Sequence, residues 1–313
     1  MKLLSSEKLS QIVARAADRP LRIGFLFVAY FALLSAFPHK PHAGHSPLSR
    51  LQQAPTLVFV VSRPDPNEPQ SVDAVLMIED GKFKPPYAEE SEAAQKKFAE
   101  EFFAAGKKYR VTFGGGEVGT ATINGSSVGC NNVHATATVD ASNQIPSRLS
   151  ALATNSESIG RKQASRRAPT TVEREEVMKL VHQIYRSRRT TPAMLRTLKT
   201  TNLTATDLDG DGTFEMIGSF VIETKTKARR DLLLIAEPKG TGYSGGFINF
   251  QSYQLPSEGF ASAIDFVDQL DVDGDGVAEV FATQGGFDAY GYNIYKKVNG
   301  RWREVLRTIG DAC

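Results

Sequence analysis

The chain has 313 residues, of which 41% are hydrophobic and 23% charged, and its formal net charge is +2. This composition is typical of a globular protein with about two domains, and it excludes wholesale disorder. A net charge so close to neutral produces no global field that would attract nucleic acid, so we expect no nucleic-acid partner.

Residues 1–53 have the pattern of an export signal followed by a linker. Five basic residues precede the uninterrupted apolar run from Ile23 to Phe37, as a basic n-region precedes an h-region. The run is shorter than the roughly 20 residues of a comfortable bilayer span. We therefore expect a protein exported to the periplasm or cell exterior, with the signal either cleaved or kept as a short membrane anchor. His39, His42 and His45 lie in the linker, where nothing would orient them as metal ligands.

Residues 54–153 predict an α+β module. A buried strand covers residues 56–61 and a second covers 72–78, followed by a hairpin turn at Asp80-Gly81. Ser91 predicts the N-cap of a helix over residues 92–105. Further strands are expected at 109–113, 118–123, 133–139 and 149–153, and the glycines at 114–116 predict a tight turn rather than a phosphate loop. Cys130 and His134 form at most a weak nucleophilic pair, and a structural role for both is favoured.

Residues 154–199 predict a basic linker followed by two helices. Positions 154–168 are polar and basic, which favours an exposed linker. A capping box from Thr170 to Glu173 predicts the start of a helix, and a shorter helix follows Pro192. A cluster of arginines lies at the end of the first helix, at Arg186, Arg188 and Arg189. A solvated helix face is favoured over a polyanion-binding site as the explanation of this cluster.

Residues 200–313 predict a β domain built from two related units. Each unit has an approach strand, an acidic loop and an antiparallel meander, with strands expected at 202–206, 216–222 and 231–236 and again at 264–268, 280–283, 292–297 and 301–305. The glycine-rich stretches at 245–247 and 285–287 are expected to be loops. The two acidic loops are 271 − 207 = 64 residues apart.

Each acidic loop places carboxylates at its first, third, fifth and ninth positions, with glycine at the sixth. Ca²⁺ takes six to eight oxygen ligands, and a backbone carbonyl at the seventh position can add one more. Mg²⁺ usually keeps several water ligands, so a loop that supplies only protein oxygens favours Ca²⁺ over Mg²⁺. An EF-hand is excluded because its twelfth position, here Gly218 or Ala282, carries no Glu and because the flanks predict strands. The predicted Ca²⁺ ligands are Asp207, Asp209, Asp211, Thr213 and Glu215 in the first loop and Asp271, Asp273, Asp275, Val277 and Glu279 in the second.

The pattern Asp-x-Asp-Gly-Asp-Gly-x-x-Glu leading into a strand resembles the FG-GAP and VCBS repeats of integrin-type β-propellers. The resemblance covers about the last third of the chain and implies two blade-like repeats with Ca²⁺ in their loops. A propeller needs about four to eight blades, and only two signatures are present. A small β-sheet domain that uses the loop is favoured over a partial propeller or a ring with unmarked blades.

The expected function is that of an exported or membrane-anchored calcium-binding protein with a non-catalytic binding or scaffold role and an unknown protein or glycan ligand. No HExxH, GxSxG, CxxC or Walker motif is present in the sequence. The alternatives are an extracytoplasmic hydrolase, for which His134 and His182 have no motif partner, and a polyanion-binding protein. Export permits a disulfide between Cys130 and Cys313, although free thiols or an intermolecular bridge are equally open.

Overall fold

A computed structural model describes residues 54–62, 69–88, 91–129, 132–141, 145, 150–160, 163–224, 228–254, 263–285 and 289–312. The predicted export signal from Ile23 to Phe37, the histidine-containing linker, Cys130 and Cys313 lie outside these ranges. Across the part of the chain that is described, no helix has the length and apolar character needed to cross a membrane.

The described residues are mainly β. The described residues form three helices: α1 (Glu92–Phe102), α2 (Thr171–Ser187) and α3 (Pro192–Leu195). The first seven strands are β1 (Thr56–Ser62), β2 (Gln70–Glu79), β3 (Lys82–Lys84), β4 (Lys108–Phe113), β5 (Gly116–Val128), β6 (Val133–Ala141) and β7 (Ala151–Thr154). The other eight are β8 (Lys199–Thr206), β9 (Glu215–Glu223), β10 (Ala228–Lys239), β11 (Gly242–Gln254), β12 (Ala263–Leu270), β13 (Glu279–Gly285), β14 (Ala289–Val298) and β15 (Arg301–Ala312).

The first seven strands belong to a sheet that closes into a barrel, which the prediction of an α+β module did not include. Their order is β1-β7-β4-β5-β6-β2-β3, and β2 also pairs with β1, which closes a ring of six strands. Residues of β1 alternate between the barrel interior, as Phe59 does, and its outer surface, as Val58 and Val60 do. Both faces of β1 are therefore buried, which explains its continuous apolar sequence. Helix α1 contributes Phe98 to the interior cluster.

The remaining strands form two four-stranded antiparallel sheets, which we call sheet 1 (β8 to β11) and sheet 2 (β12 to β15). In each sheet the strands follow one another in chain order, and an acidic loop joins the first strand to the second. The predicted loop at 245–247 is wrong, because these residues lie inside β11. The register shifts there, since Ile235 pairs with Phe247 and Ala236 with Gly245, so that Gly246 is the extra residue of a bulge.

Helix α2, the two sheets and the barrel stack in four layers. Helix α2 packs Val181 and Tyr185 against one face of sheet 1. The opposite face of sheet 1 packs against sheet 2, whose Tyr295 and Trp302 join that cluster. The second face of sheet 2 carries Phe281 and packs against the outside of the barrel. Both outer faces of the pair of sheets are thus covered, one by a helix and one by the barrel.

Part of the segment before α2 is buried, although its composition predicts an exposed linker. The Arg166 side chain is only 5% exposed and forms an ion pair of 3.1 Å with Asp268, which is fully buried. The Arg166 guanidinium also donates to the carbonyl oxygen of Val267 at 2.6 Å and lies 4.6 Å from the ring centroids of Phe113 and Phe266. This residue therefore joins the barrel to sheet 2. The capping box between Thr170 and Glu173 is confirmed.

Candidate metal centre

Both acidic loops turn around their first aspartate. The two carboxylate oxygens of Asp207 accept hydrogen bonds from the backbone N–H groups of Gly210 at 2.7 Å and Gly212 at 3.0 Å. Asp271 accepts from the equivalent positions, Gly274 and Gly276, at 2.8 and 3.1 Å. These four glycines have φ between 74° and 95°, a region that side chains other than glycine rarely adopt. Glycine at these positions therefore makes the tight turn possible.

The glutamate at the ninth position closes each loop. Glu215 accepts the backbone N–H of Leu208 at 2.9 Å, and Glu279 accepts that of Val272 at 3.0 Å. Both carboxylates are buried, and burial raises the pKa of each to about 7. A buried carboxylate is costly unless a positive charge offsets it.

Three aspartate side chains converge in each loop. Carboxylate oxygens of Asp207, Asp209 and Asp211 lie within 4.8 Å of one another, and those of Asp271, Asp273 and Asp275 do the same. Each triplet could therefore hold a metal ion.

The residue at the seventh position of each loop orients the carboxylate at the fifth position. The N–H and hydroxyl groups of Thr213 donate to Asp211 at 2.6 and 2.7 Å and hold the pKa of that carboxyl below its usual value. The N–H of Val277 donates to Asp275 at 2.9 Å. Ligation through the carbonyl oxygens of Thr213 and Val277 stays a prediction.

The first loop fits a hard cation. Oxygen Oδ1 of Asp209 is buried and has no hydrogen-bond partner among the described residues. A buried carboxylate oxygen without a partner is unfavourable unless an ion coordinates it. All the side-chain atoms predicted to ligate the ion in this loop are carboxylate oxygens, which are ligands that Ca²⁺ prefers.

The second loop differs because it contains a lysine side chain. The Nζ atom of Lys296, on β14, lies 2.8 Å from Asp273, 2.6 Å from Asp275 and 2.8 Å from Glu279. Burial disfavours the charged ammonium, but hydrogen bonds to the three carboxylates outweigh this effect and raise the pKa of Lys296. The strand was predicted from the sequence, but the position of this side chain was not.

The two loops lie side by side. The backbone N–H of Ala278, in the second loop, donates to the carbonyl oxygen of Leu208, in the first, at 2.7 Å. Both loops line a cavity of about 630 Å³, together with the turn at Gly114-Gly115 and Gln269. A change in one loop can therefore reach the other through direct contact.

A second polar cluster lies where the barrel meets sheet 2, and the sequence did not predict it. The buried carboxylate of Asp73 is 2.7 Å from Nδ1 of His134 and accepts hydrogen bonds from Tyr290 at 3.0 Å and Tyr292 at 2.6 Å. Its members are separated by up to 219 residues, so no local pattern could have identified it. The contact supports a structural role for His134.

The arginine cluster that suggested polyanion binding lies at the end of α2 and just after it. Arg186, Arg188 and Arg189 are all exposed, and basic side chains at a helix C-terminus interact favourably with the helix dipole. His182 lies on α2 and is half-buried.

Comparisons with protein-family models, with curated proteins and with solved structures found no match to this chain.

Proposed function

We propose that the chain is a calcium-binding protein in which Ca²⁺ stabilises the first acidic loop of a pair of blade-like sheets. Its role is binding or scaffolding outside the cytoplasm, with a protein or glycan as ligand. The resemblance to FG-GAP and VCBS loops supports this assignment, as does the position of each loop between the first two strands of a four-stranded antiparallel sheet.

One observation carries the proposal: Asp209 has a buried carboxylate oxygen without a hydrogen-bond partner among the described residues, and it lies between two other carboxylates. Three clustered carboxylates and a buried Glu215 repel one another at neutral pH. A divalent cation removes this repulsion and satisfies the unpartnered oxygen. Ca²⁺ suits the loop better than Mg²⁺, since an all-protein oxygen cage favours the larger ion.

Cation binding at this place supports the fold. The first loop joins β8 to β9 and contacts the second loop through Leu208. A ligand that binds only the folded state raises its stability by mass action, by about 2.7 kcal/mol at a free concentration of 100 times Kd. The ion would therefore stabilise both the loop and its contact with sheet 2.

The test is calorimetric titration of Ca²⁺ into the chelator-treated full chain, with melting curves recorded alongside. We expect binding heat and a higher melting temperature with Ca²⁺. Asp209→Asn should weaken the binding of Ca²⁺ to the first loop, because it removes a negative charge from the ligand that carries the unpartnered oxygen. The matched control is Asp140→Asn, since Asp140 is an exposed aspartate on β6 outside the loops.

Absence of both heat and a melting shift in the wild-type chain would contradict calcium binding. An unchanged response in Asp209→Asn would contradict the assignment of the ligand.

A further inference from the structure

The two acidic loops share a framework but differ in one charge. At corresponding places Asp209 has a buried oxygen without a hydrogen-bond partner among the described residues, whereas both oxygens of Asp273 lie 2.8 to 3.0 Å from the ammonium of Lys296. The ammonium has three N–H donors, and three different carboxylates of the second loop surround it. We infer that Lys296 is a built-in cation that replaces the metal in the second loop, so that the first loop is the calcium site of this chain.

The strand register explains why the first loop has no equivalent lysine. On β14, Tyr295 pairs with Val280, and the next residue is Lys296. On β10, Ala236 pairs with Met216, and the next residue is Glu237. The position that carries a positive charge beside the second loop therefore carries a negative charge beside the first.

One lysine, Lys297, acts electrostatically on Asp209, Asp211 and Glu215, but it is already paired elsewhere. Lys297, on β14, forms an ion pair of 2.8 Å with Glu237, which also accepts a hydrogen bond from Trp302 at 3.0 Å. Among the described residues, no lysine or arginine forms an ion pair with Asp207, Asp209, Asp211 or Glu215. Within the described part of the chain, Lys297 therefore acts on the first loop only at longer range, and none of the four carboxylates has a lysine or arginine paired with it.

Competition makes the second loop a poor metal site. A Ca²⁺ ion entering it must first displace the ammonium and break charge-assisted hydrogen bonds to three carboxylates, each about twice as strong as a neutral one. The freed ammonium, whose side chain is only 17% exposed, must then find new solvation. We expect Ca²⁺ to bind the second loop at least about tenfold more weakly than the first, which corresponds to at least about 1.4 kcal/mol.

This inference rests on the proposed function, and the stoichiometry of Ca²⁺ binding tests it separately. Titration of the full chain with Ca²⁺ should give one dominant site. Asp209→Asn should weaken it by about tenfold or more, and the matched change in the second loop, Asp273→Asn, should leave its affinity within about twofold. Removal of the internal cation by Lys296→Met should create a second site and a stoichiometry of two, whereas Lys296→Arg should keep the stoichiometry at one.

Three results would overturn the inference. Two sites of equal affinity in the wild-type chain, one of them weakened in each aspartate variant, would refute it while leaving calcium binding intact. A dominant site that is weakened in Asp273→Asn but not in Asp209→Asn would place the ion in the second loop. A folded Lys296→Met variant, as judged by circular dichroism, that still binds one ion would also refute it. Absence of heat in every variant would instead contradict the proposed function itself.

Discussion

Replacement of Arg166 by methionine should destabilise the chain severely. The substitution removes the positive partner of Asp268 and leaves a carboxylate that is 0% exposed without its counter-ion. Breaking a buried pair in this way costs about 3–5 kcal/mol. The guanidinium also lies 4.6 Å from two aromatic centroids, and each desolvated cation–π contact adds on the order of 1 kcal/mol. We expect a total loss of about 5–7 kcal/mol, a large part of the stability of an ordinary domain.

The effect of Arg166→Met should depend on pH. Burial raises the pKa of Asp268 to about 6 although Arg166 and the N–H of Gly114 oppose the rise. Without Arg166 the pKa rises further, so the folded variant binds more protons than the unfolded chain above pH 4. A group with a raised pKa loses its stabilising contribution as pH increases. The difference in stability between wild type and variant should therefore be larger at pH 8 than at pH 5.

Urea denaturation of the full chain provides the assay, because the single tryptophan, Trp302, is nearly buried and its fluorescence reports unfolding. Arg186→Met is the matched control, since Arg186 is exposed on α2 and should change stability by less than about 0.5 kcal/mol. The double variant Arg166→Met/Asp268→Asn keeps an acceptor for Gly114 and should cost less than the sum of the single changes. A loss below about 1 kcal/mol for Arg166→Met would refute the described contacts.

Three further changes test other contacts. Glu173→Gln should cost about 1–2 kcal/mol at pH 7 in denaturation curves but almost nothing near pH 2. A hydrogen bond from Arg167 lowers the pKa of Glu173 to about 2, and the stabilisation that this pKa shift provides is lost as pH falls from 4.5 towards 2. A difference in stability that stays constant with pH would contradict this contact. Gly114→Ala should lower the melting temperature, because φ is 63° and the new Cβ would lie 2.7 Å from Cβ of Arg166; an unchanged melting temperature would refute this contact. Tyr292→Phe removes a donor to a buried carboxylate and should cost about 1.5–3 kcal/mol in urea; a loss under 0.5 kcal/mol, on the order of the surface-substitution range, would contradict it.

Local features of the fold were predictable from the sequence because they depend on neighbouring residues. The capping box at Thr170, the hairpin turn at Asp80-Gly81 and the order of strands in sheet 2 follow from short patterns. The acidic loops were identified by spacing alone, and the structure brings both aspartate triplets together.

Features that depend on distant residues were not predictable. Closure of the barrel requires β1 to pair with both β2 and β7, and the latter pairing joins residues about 95 positions apart. Arg166 stands in a polar stretch that resembles a linker, and its partner is 102 residues away. The pair Gly245-Gly246 predicts a loop, because two adjacent glycines alone do not distinguish a turn from a bulge inside a strand. Lys296 was placed on a strand, but only the register shows that it faces the second acidic loop.

The central claim is that the first acidic loop binds Ca²⁺, and anomalous diffraction from crystals grown with Ca²⁺ tests it most directly. We predict an anomalous peak among the carboxylates of Asp207, Asp209, Asp211 and Glu215, with the ammonium of Lys296 retained in the second loop. A structure at millimolar Ca²⁺ with no peak in the first loop would contradict the assignment of that loop as a calcium site.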